Sequence, residues 1–111
     1  MTPPTLGALE LTILLAVARL GDQAYGLAIR RDLAARTGRD YSVGAVYTTL
    51  ERLEAKGFVS SRVTEPLAKR GGRSRRQFKV TAAGQRAIRR AESIARNIWA
   101  GVGSSLNPET A

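Results

Sequence analysis

Apolar residues dominate the first helix-length segment of the chain and leave it almost no polar face. The segment Leu6–Leu20, LGALELTILLAVARL, favours a helix over a strand because of its length and its Leu/Ala content. Gly21 and Asp22 are placed to end this helix. A small domain has room to bury one side of a helix, so a helix that is apolar all round predicts a second protein surface against it.

Two shorter helices follow, each with one apolar face. The first covers about residues 26–37, where Ile29 and Leu33 lie four residues apart and Gly38 is placed as the carboxyl-terminal cap. The second begins at Ser42, whose hydroxyl is placed to accept from an amide of the first turn. Its inward residues follow at helical spacing: Val43, Val46, Leu50 and Leu53. Two short helices joined by a tight glycine-containing link form a helix-turn-helix pattern.

A β-hairpin pattern comes directly after these helices. The segments Phe58–Thr64 and Arg75–Thr81 alternate apolar and polar residues, as strands with one buried face do. The alternating apolar residues are Val59 and Val63 in the first strand and Phe78 and Val80 in the second. Between the strands, EPLAKRGGRS supplies Pro and Gly-Gly turn signals. A helix-turn-helix followed by a hairpin with a basic tip predicts a winged helix, so the expected fold class is mainly α with a small β-hairpin.

A last helix is predicted over about residues 82–102, with Thr81 as its amino-terminal cap. Its apolar residues recur at alternating spacings of four and three, the pattern of a coiled-coil seam: Gly84, Ile88, Ala91, Ala95, Ile98 and Val102. Such a seam in a small protein predicts pairing with a second copy. The chain is therefore divided into a winged helix-turn-helix DNA-binding domain over 1–81, a dimerisation helix over 82–103 and a flexible tail over 104–111.

Positive charge is concentrated in one quarter of the chain. Residues 62–90 carry ten Lys/Arg and a single acid, Glu65, a net charge of +9, whereas residues 1–61 carry +1 and residues 91–111 carry −1. This asymmetry is typical of a nucleic-acid partner and less often of an anionic membrane. The chain has neither Cys nor His, so it lacks the commonest general base and the commonest metal ligands. We expect no enzymatic activity, no cofactor and no metal.

The apolar amino-terminal segment does not predict a membrane protein. It is too short to span a bilayer, it contains Glu10 and Arg19, and it follows an uncharged start, MTPPT. We therefore expect neither a transmembrane helix nor a secretory signal, and a cytoplasmic location.

The chain resembles the PadR family of bacterial transcriptional regulators in four segments that occur in the family's order: LGALELTILLAV, GDQAYGLAI, TGRDYSVGAVYTTLERLEAKGFVSS and RGGRSRRQFKVTAAG. The resemblance covers residues 6–84. It implies a homodimeric winged-helix repressor that binds an inverted-repeat operator and dimerises through its first and last helices. Many members are released from DNA by a small molecule or another cellular signal. The short carboxyl-terminal helix is similar to that of the compact subgroup, and Gln77-Phe78 stands where many members have two aromatic residues.

The residues expected to contact DNA fall into three groups. The amino-terminal turns of the recognition helix would enter the major groove: Ser42, Gly44, Ala45, Tyr47 and Thr48. The start of the preceding helix and the turn would hold phosphates: Tyr25, Gly26 and Arg39. The wing would clamp the backbone or enter the minor groove: Lys69, Arg70, Arg73 and Arg75. Three alternatives stay open, namely that Tyr47 packs beneath the first helix, that Arg39 is a plain surface arginine and that the wing cations form a solvated face.

The expected partners are double-stranded DNA and a second copy of the chain. The residues expected in the dimer interface are Leu9, Ile13, Ile88, Ala91, Ala95 and Ile98. Trp99 lies beside the seam, and packing in the interface is favoured over the alternative that its indole stacks on a small aromatic effector. The alternative function is an RNA-binding or nucleoid-associated protein without sequence preference, because KRGGRSRR also resembles an arginine-glycine RNA contact segment. A protein-interaction module alone would not need the +9 segment.

Overall fold

A computed structural model describes residues 5–64 and 75–106. The elements in chain order are α1 (Ala8–Leu20), a 3-10 turn (Gly21–Gln23), α2 (Gly26–Thr37), α3 (Val43–Ala55), β1 (Val59–Thr64), β2 (Arg75–Val80), α4 (Ala82–Trp99) and α5 (Val102–Ser105). The predicted fold class is confirmed: a helix-turn-helix and an antiparallel hairpin form a winged helix, and a long helix follows it.

The helix α1 lies at the centre of the domain, because it contacts α2, α3, β2 and α4. Its apolar residues are therefore needed on several sides within one chain, and Ile13 and Leu14 are both fully buried. Leu9 and Leu11 are only half-buried. The other large core side chains come from every neighbouring element: Ile29, Leu33, Val46, Leu50, Leu53, Phe58 and Phe78.

The two helices of the helix-turn-helix begin and end where the sequence indicates. Gly38 caps α2 with a φ of +72°, a backbone conformation that glycine adopts without strain. Ser42 caps α3, and its Oγ accepts from the Ala45 N–H at 3.0 Å. The prediction that Val43 faces inward is wrong, because its side chain is 51% exposed at the first residue of α3, whereas Val46 in the next turn is fully buried.

The hairpin pairs Val59 with Val80 and Thr64 with Arg75 in an antiparallel register. Phe78 is buried in the core as expected, but Val63 is 59% exposed. Val63 lies on the same face as Val59 because the side-chain period of a strand is two. It is nevertheless exposed because this end of the hairpin extends beyond the core.

The helix α4 is anchored at its start and uncovered at its end. Gly84 is buried so closely that an added Cβ would lie 2.7 Å from Val80 Cγ1 and would collide with the Phe58 carbonyl oxygen. The predicted helix boundary at 102 is wrong, because α4 ends at Trp99 and Gly101 turns the chain with a φ of +78°. Ser104 and Ser105, expected in a flexible tail, belong to α5. The radius of gyration is 16.9 Å, above the roughly 13 Å expected for a compact domain of this length.

Candidate nucleic-acid interface

The first turn of α3 presents small and polar residues to the outside. Ser42, Gly44 and Thr48 are exposed. A Cβ added at Gly44 would have no atom within 4 Å, so nothing in the described part of the chain covers this turn. Ala45 is half-buried, and its carbonyl accepts from Thr49 Oγ1 at 2.8 Å. The amino-terminal end of α3 is therefore uncovered within the described part of the chain, as a helix that enters a DNA groove must be.

Tyr47 points sideways from α3 and packs between two other elements. Its ring contacts the Phe78 ring edge-to-face, with 6.3 Å between centroids. Its phenol lies against Gly26 at the start of α2, where an added Cβ would lie 2.6 Å from Tyr47 Cζ. Gly26 is thus needed for close approach rather than for backbone freedom. The half-buried Tyr47 ring thus packs against α2 and β2, and its contact with DNA stays a prediction.

The turn between α2 and α3 is ordered by arginines. Arg30 Nε donates to the Tyr41 carbonyl at 2.9 Å, and Arg30 Nη2 lies 3.3 Å from Asp40 Oδ1. The exposed Arg39 places its guanidinium carbon 5.9 Å from the centroid of the Tyr41 ring. Arg39 is thus a surface arginine with an aromatic contact, directly before the recognition helix.

The root of the wing is connected to the segment that precedes α2. Tyr25 forms an isolated antiparallel β-bridge with Gln77. The Gln77 side chain donates from Nε2 to the Asp22 carbonyl at 2.7 Å and accepts from Arg62 Nε at 2.8 Å. The Arg75 guanidinium lies over the Tyr25 ring. The strand pattern predicted no role for Gln77, which occupies a polar position of the alternation, and its one signal was that Gln77-Phe78 stands where many members of the resembled family have two aromatic residues.

Three of the four wing residues predicted to bind DNA, Lys69, Arg70 and Arg73, lie outside the described residues. Arg75 is described, and it is exposed at the start of β2. The neighbouring Arg76 donates from Nη1 to Ser61 Oγ at 3.1 Å.

A cleft with a volume of about 900 Å³ lies between α2, α3 and β2. Its lining includes two aromatic side chains and three arginines: Tyr25, Tyr47, Arg31, Arg75 and Arg76. It also includes Asp32, whose charge is balanced by ion pairs with Arg19 and Arg36. The hydrogen bond from Arg19 lowers the pKa of Asp32, burial opposes this, and the bond from Arg36 lowers it again, so the net pKa is below its usual value. This cleft therefore offers cationic donors and reaches α3 at Tyr47, the residue that follows its first turn.

A further ion pair holds the carboxyl end of α3 to α1. Lys56 Nζ lies 2.7 Å from Glu10 Oε1 and donates to the Thr5 carbonyl at 2.7 Å. Burial alone would raise the pKa of Glu10, but the hydrogen bonds from Lys56 and from the Gly7 N–H outweigh it and lower the pKa. The recognition helix is thus fixed at its carboxyl end while its amino end is open.

The residues expected in a dimer interface have different environments. Ile13 is fully buried in the core of the single chain. It has no surface left for a partner, which corrects its assignment. Leu9, Ile88 and Ala91 are half-buried and Ala95 is exposed. Large apolar side chains are exposed in the second half of α4 and after it: Ile94 at 50%, Ile98 at 70%, Trp99 at 71% and Leu106 at 70%. Of these four, only Ile98 belongs to the predicted seam.

A second hollow of about 500 Å³ lies where the end of α1 meets β2 and α4. Its lining includes the apolar Val17 and Ile88, together with four charged residues: Asp22, Lys79, Arg89 and Glu92.

No group of His, Cys, Asp and Glu that could hold a metal ion occurs within residues 5–64 and 75–106. Within the same ranges, no helix has the length and apolar character needed to cross a membrane.

A family model for PadR-like transcriptional regulators matches residues 14–90. The chain belongs to this family. The matched residues run from the middle of α1 through the helix-turn-helix and the wing into α4, so the identification covers the elements that form the candidate interface. PadR-like proteins are transcriptional regulators, and the family is not enzymatic in general.

Solved structures agree with this assignment. The PadR family transcriptional regulator from Eggerthella lenta DSM 2243 is 28% identical, with a TM-score of 0.68 over 90% of this chain and 88% of that one. A PadR-like transcription factor from Bacteroides fragilis shares the fold at 23% identity, with a TM-score of 0.71 over 88% of this chain and 89% of that one. Bacillus subtilis PadR, solved in complex with operator DNA, shares the fold at 20% identity and a TM-score of 0.63, over 75% of this chain and 46% of that one. A search of curated proteins finds no match.

Proposed function

We propose that this PadR-like protein is a homodimeric repressor that recognises an inverted-repeat operator. The observation that carries the proposal is the open first turn of α3 beside the cationic cleft formed by α2 and β2. A major groove admits one helix, and its base edges are reached from the amino-terminal turns of that helix. Cationic side chains beside that helix suit the phosphates that flank the groove. Bacillus subtilis PadR was solved in complex with operator DNA, which supports operator DNA as the partner here.

The contacts are proposed residue by residue. Gly44 and Thr48 face the groove, with the partly exposed Ala45 and Tyr47 beside them, while Ser42 keeps its hydroxyl in the helix cap and so serves to shape the first turn. Arg39 contacts a phosphate, but the expected contacts by the amides of Tyr25 and Gly26 are not kept, because the Tyr25 N–H donates to the Gln23 carbonyl at 2.9 Å and Gly26 is buried. The wing residues Lys69, Arg70, Arg73 and Arg75 complete the clamp on the backbone.

A second copy of the chain is proposed to cover the apolar surface of α4. Ile94, Ile98 and Trp99 are each at least half exposed on one helix that extends beyond the domain. Exposed apolar patches of this kind mark interaction sites. Homodimers and repression are typical of the family. A two-fold dimer presents two recognition helices related by symmetry, so its operator should be an inverted repeat.

Regulation by a small molecule belongs to the same proposal. Trp99 is the single tryptophan of the chain, and its place on the exposed surface of α4 puts it in the proposed interface. Indole rings stack on flat aromatic ligands. Titration of aromatic compounds against Trp99 fluorescence tests this step, because a bound ring should quench or shift the emission. Emission that does not change with any compound would indicate that Trp99 only packs between the two copies.

The decisive experiment measures binding of the purified protein to the DNA upstream of its own gene and to random DNA of equal length, at two salt concentrations. The proposal expects tighter binding to the upstream DNA by a factor of about 10³ or more. Equal affinity for both DNAs would contradict a sequence-specific repressor. Tighter binding to single-stranded or structured RNA would favour the RNA-binding alternative.

A further inference from the structure

Arg75 starts the second strand of the wing and has an aromatic neighbour from a different element. Its guanidinium carbon lies 4.4 Å from the centroid of the Tyr25 ring, well within the roughly 6 Å range of a cation–π contact. The Arg75 carbonyl accepts from Thr64 Oγ1 at 3.0 Å. Its guanidinium N–H groups have no acceptor within residues 5–64 and 75–106, so the side chain is oriented by the ring without using its donors.

The ring itself is fixed by the backbone around it. Tyr25 forms a β-bridge with Gln77 in the wing. Two hydrogen bonds hold the residues before Tyr25 to the same strand: the Phe78 N–H donates to the Ala24 carbonyl at 2.9 Å, and Gln77 Nε2 donates to the Asp22 carbonyl. Tyr25 is also the amino-terminal cap residue of α2. It therefore belongs to the helix-turn-helix and to the wing at the same time, and its ring is half-buried between them.

We propose that Tyr25 is a positioning residue whose ring holds the Arg75 side chain at the root of the wing, ready to contact a phosphate. The inference rests on the proposed function, and it goes beyond it by assigning a role to the ring of Tyr25, whose backbone N–H already donates to the Gln23 carbonyl at 2.9 Å. A guanidinium can stack on a ring through its face while the N–H donors in its plane remain available to an anion. Side chains ordered before binding cost less conformational entropy when the complex forms.

The size of the effect follows from the exposure of the pair. An exposed cation–π contact changes an equilibrium by about two- to fivefold. A dimer contains two such contacts, so loss of both rings should weaken operator binding by roughly 4- to 25-fold.

Four variants separate the ring from the hydroxyl and from the charge. Tyr25→Phe keeps the ring, Tyr25→Leu removes it, Arg75→Gln removes the cation, and the fourth combines Tyr25→Leu with Arg75→Gln. Arg90→Gln is the matched control, since it removes one arginine charge from an exposed position of α4. Far-UV circular dichroism and thermal unfolding are measured for every variant, so that a folding defect is detected separately.

The expected result has three parts. Tyr25→Phe binds operator DNA like the wild type, Tyr25→Leu binds about 4- to 25-fold more weakly, and Tyr25→Leu has no further effect once Arg75 is glutamine. A merely structural role of the ring would weaken both Arg75 backgrounds equally, and that result would overturn the inference. Equal losses in Tyr25→Phe and Tyr25→Leu would overturn it as well, because the hydroxyl would then be the contacting group.

A measurement without DNA keeps this inference distinct from the proposed function. In the free protein, the Arg75 side-chain proton resonances should be shifted upfield by the ring current of Tyr25 and should return to ordinary values in Tyr25→Leu. Absence of that shift would overturn the stacking whatever the protein binds. If the shift is present and the wild type binds none of the DNAs, the proposed function fails and the positioning role fails with it. If the wild type binds DNA and Tyr25→Leu binds as tightly, the role of Tyr25 alone is refuted.

Discussion

Replacement of Gly44 by alanine should separate DNA binding from folding, because nothing in the described part of the chain surrounds this residue. The added Cβ would have no atom within 4 Å. Gly44 has no positive φ, so alanine fits the backbone without strain. Alanine favours a helix over glycine by up to about 1 kcal/mol. Gly44→Ala should therefore leave the free energy of unfolding unchanged or raise it by up to about 1 kcal/mol.

Gly26→Ala is the matched opposite. Its Cβ would lie 2.6 Å from Tyr47 Cζ, so the ring must leave its contact with Phe78 or the helices must separate. Overpacking of this kind costs about 1–3 kcal/mol. Two glycine-to-alanine changes on neighbouring helices thus have opposite expected effects on the free energy of unfolding.

The effect on DNA binding should run the other way for Gly44→Ala. If the first turn of α3 lies against the groove, two new methyl groups per dimer occupy space that the DNA needs. Loss of fit at one contacted position costs about 1–3 kcal/mol, which is a factor of roughly 5–150 in operator affinity.

Urea unfolding followed by far-UV circular dichroism measures the first quantity, and fluorescence anisotropy with a labelled operator measures the second. Operator affinity that is unchanged in Gly44→Ala would refute the placement of this turn against DNA. Gly44→Ala that is destabilised as much as Gly26→Ala would refute the open geometry itself.

The remaining predictions concern the interface, the wing and the ion pairs. Ile98→Glu should shift the protein to a monomer in sedimentation velocity and weaken operator binding, whereas a dimer that persists would contradict the proposed use of α4. Operator affinity should fall with salt with a log–log slope of about −5 to −7, as for six to eight neutralised phosphates, and a slope shallower than about −2 would contradict the wing as a clamp. The pKa values of Asp32 and Glu10 are lowered in the folded state. The stability that they contribute should therefore be complete above about pH 5 and decline as the pH falls through their folded values. Asp32→Asn should lower the free energy of unfolding at pH 7 by about 1–3 kcal/mol and reduce the loss in acid, and an unchanged pH profile in urea unfolding would contradict the pairing.

Much of the fold could be predicted from local signals in the sequence. Ser42 and Gly38 mark helix ends because a hydroxyl cap and a left-handed glycine act within one turn, and both occur where expected. The wrong burial predictions concern residues at the ends of elements, because the periodicity of a pattern gives the face of a residue but not its distance from the core. Val43 and Val63 share faces with buried residues, but each lies at the end of its element and is exposed.

The candidate site was less accessible to sequence reasoning, because its contacts join residues far apart in the chain. The pattern assigned Tyr47 to the outward face of its helix, yet the ring contacts Gly26 and Phe78. Gln77 occupies an ordinary polar position of the strand alternation, and only the structure reveals its bonds to Asp22 and Arg62. Such long-range pairs depend on the packing of three elements, which no local pattern contains.

The distribution of cations over the fold explains why the net charge of residues 62–90 overstates the number of phosphate contacts. Ten Lys/Arg between residues 62 and 90 would give twenty per dimer and a salt slope near −18 if all of them neutralised phosphates. The structure divides the described members of this group between the two strands of the wing and the exposed surface of α4, where Arg86, Arg89 and Arg90 lie. Among the described residues, none of α4 lines the cleft that Tyr47 borders, so these arginines are set apart from it. The four proposed wing cations per protomer alone give about eight contacts per dimer, the upper end of the six to eight on which the predicted slope is based.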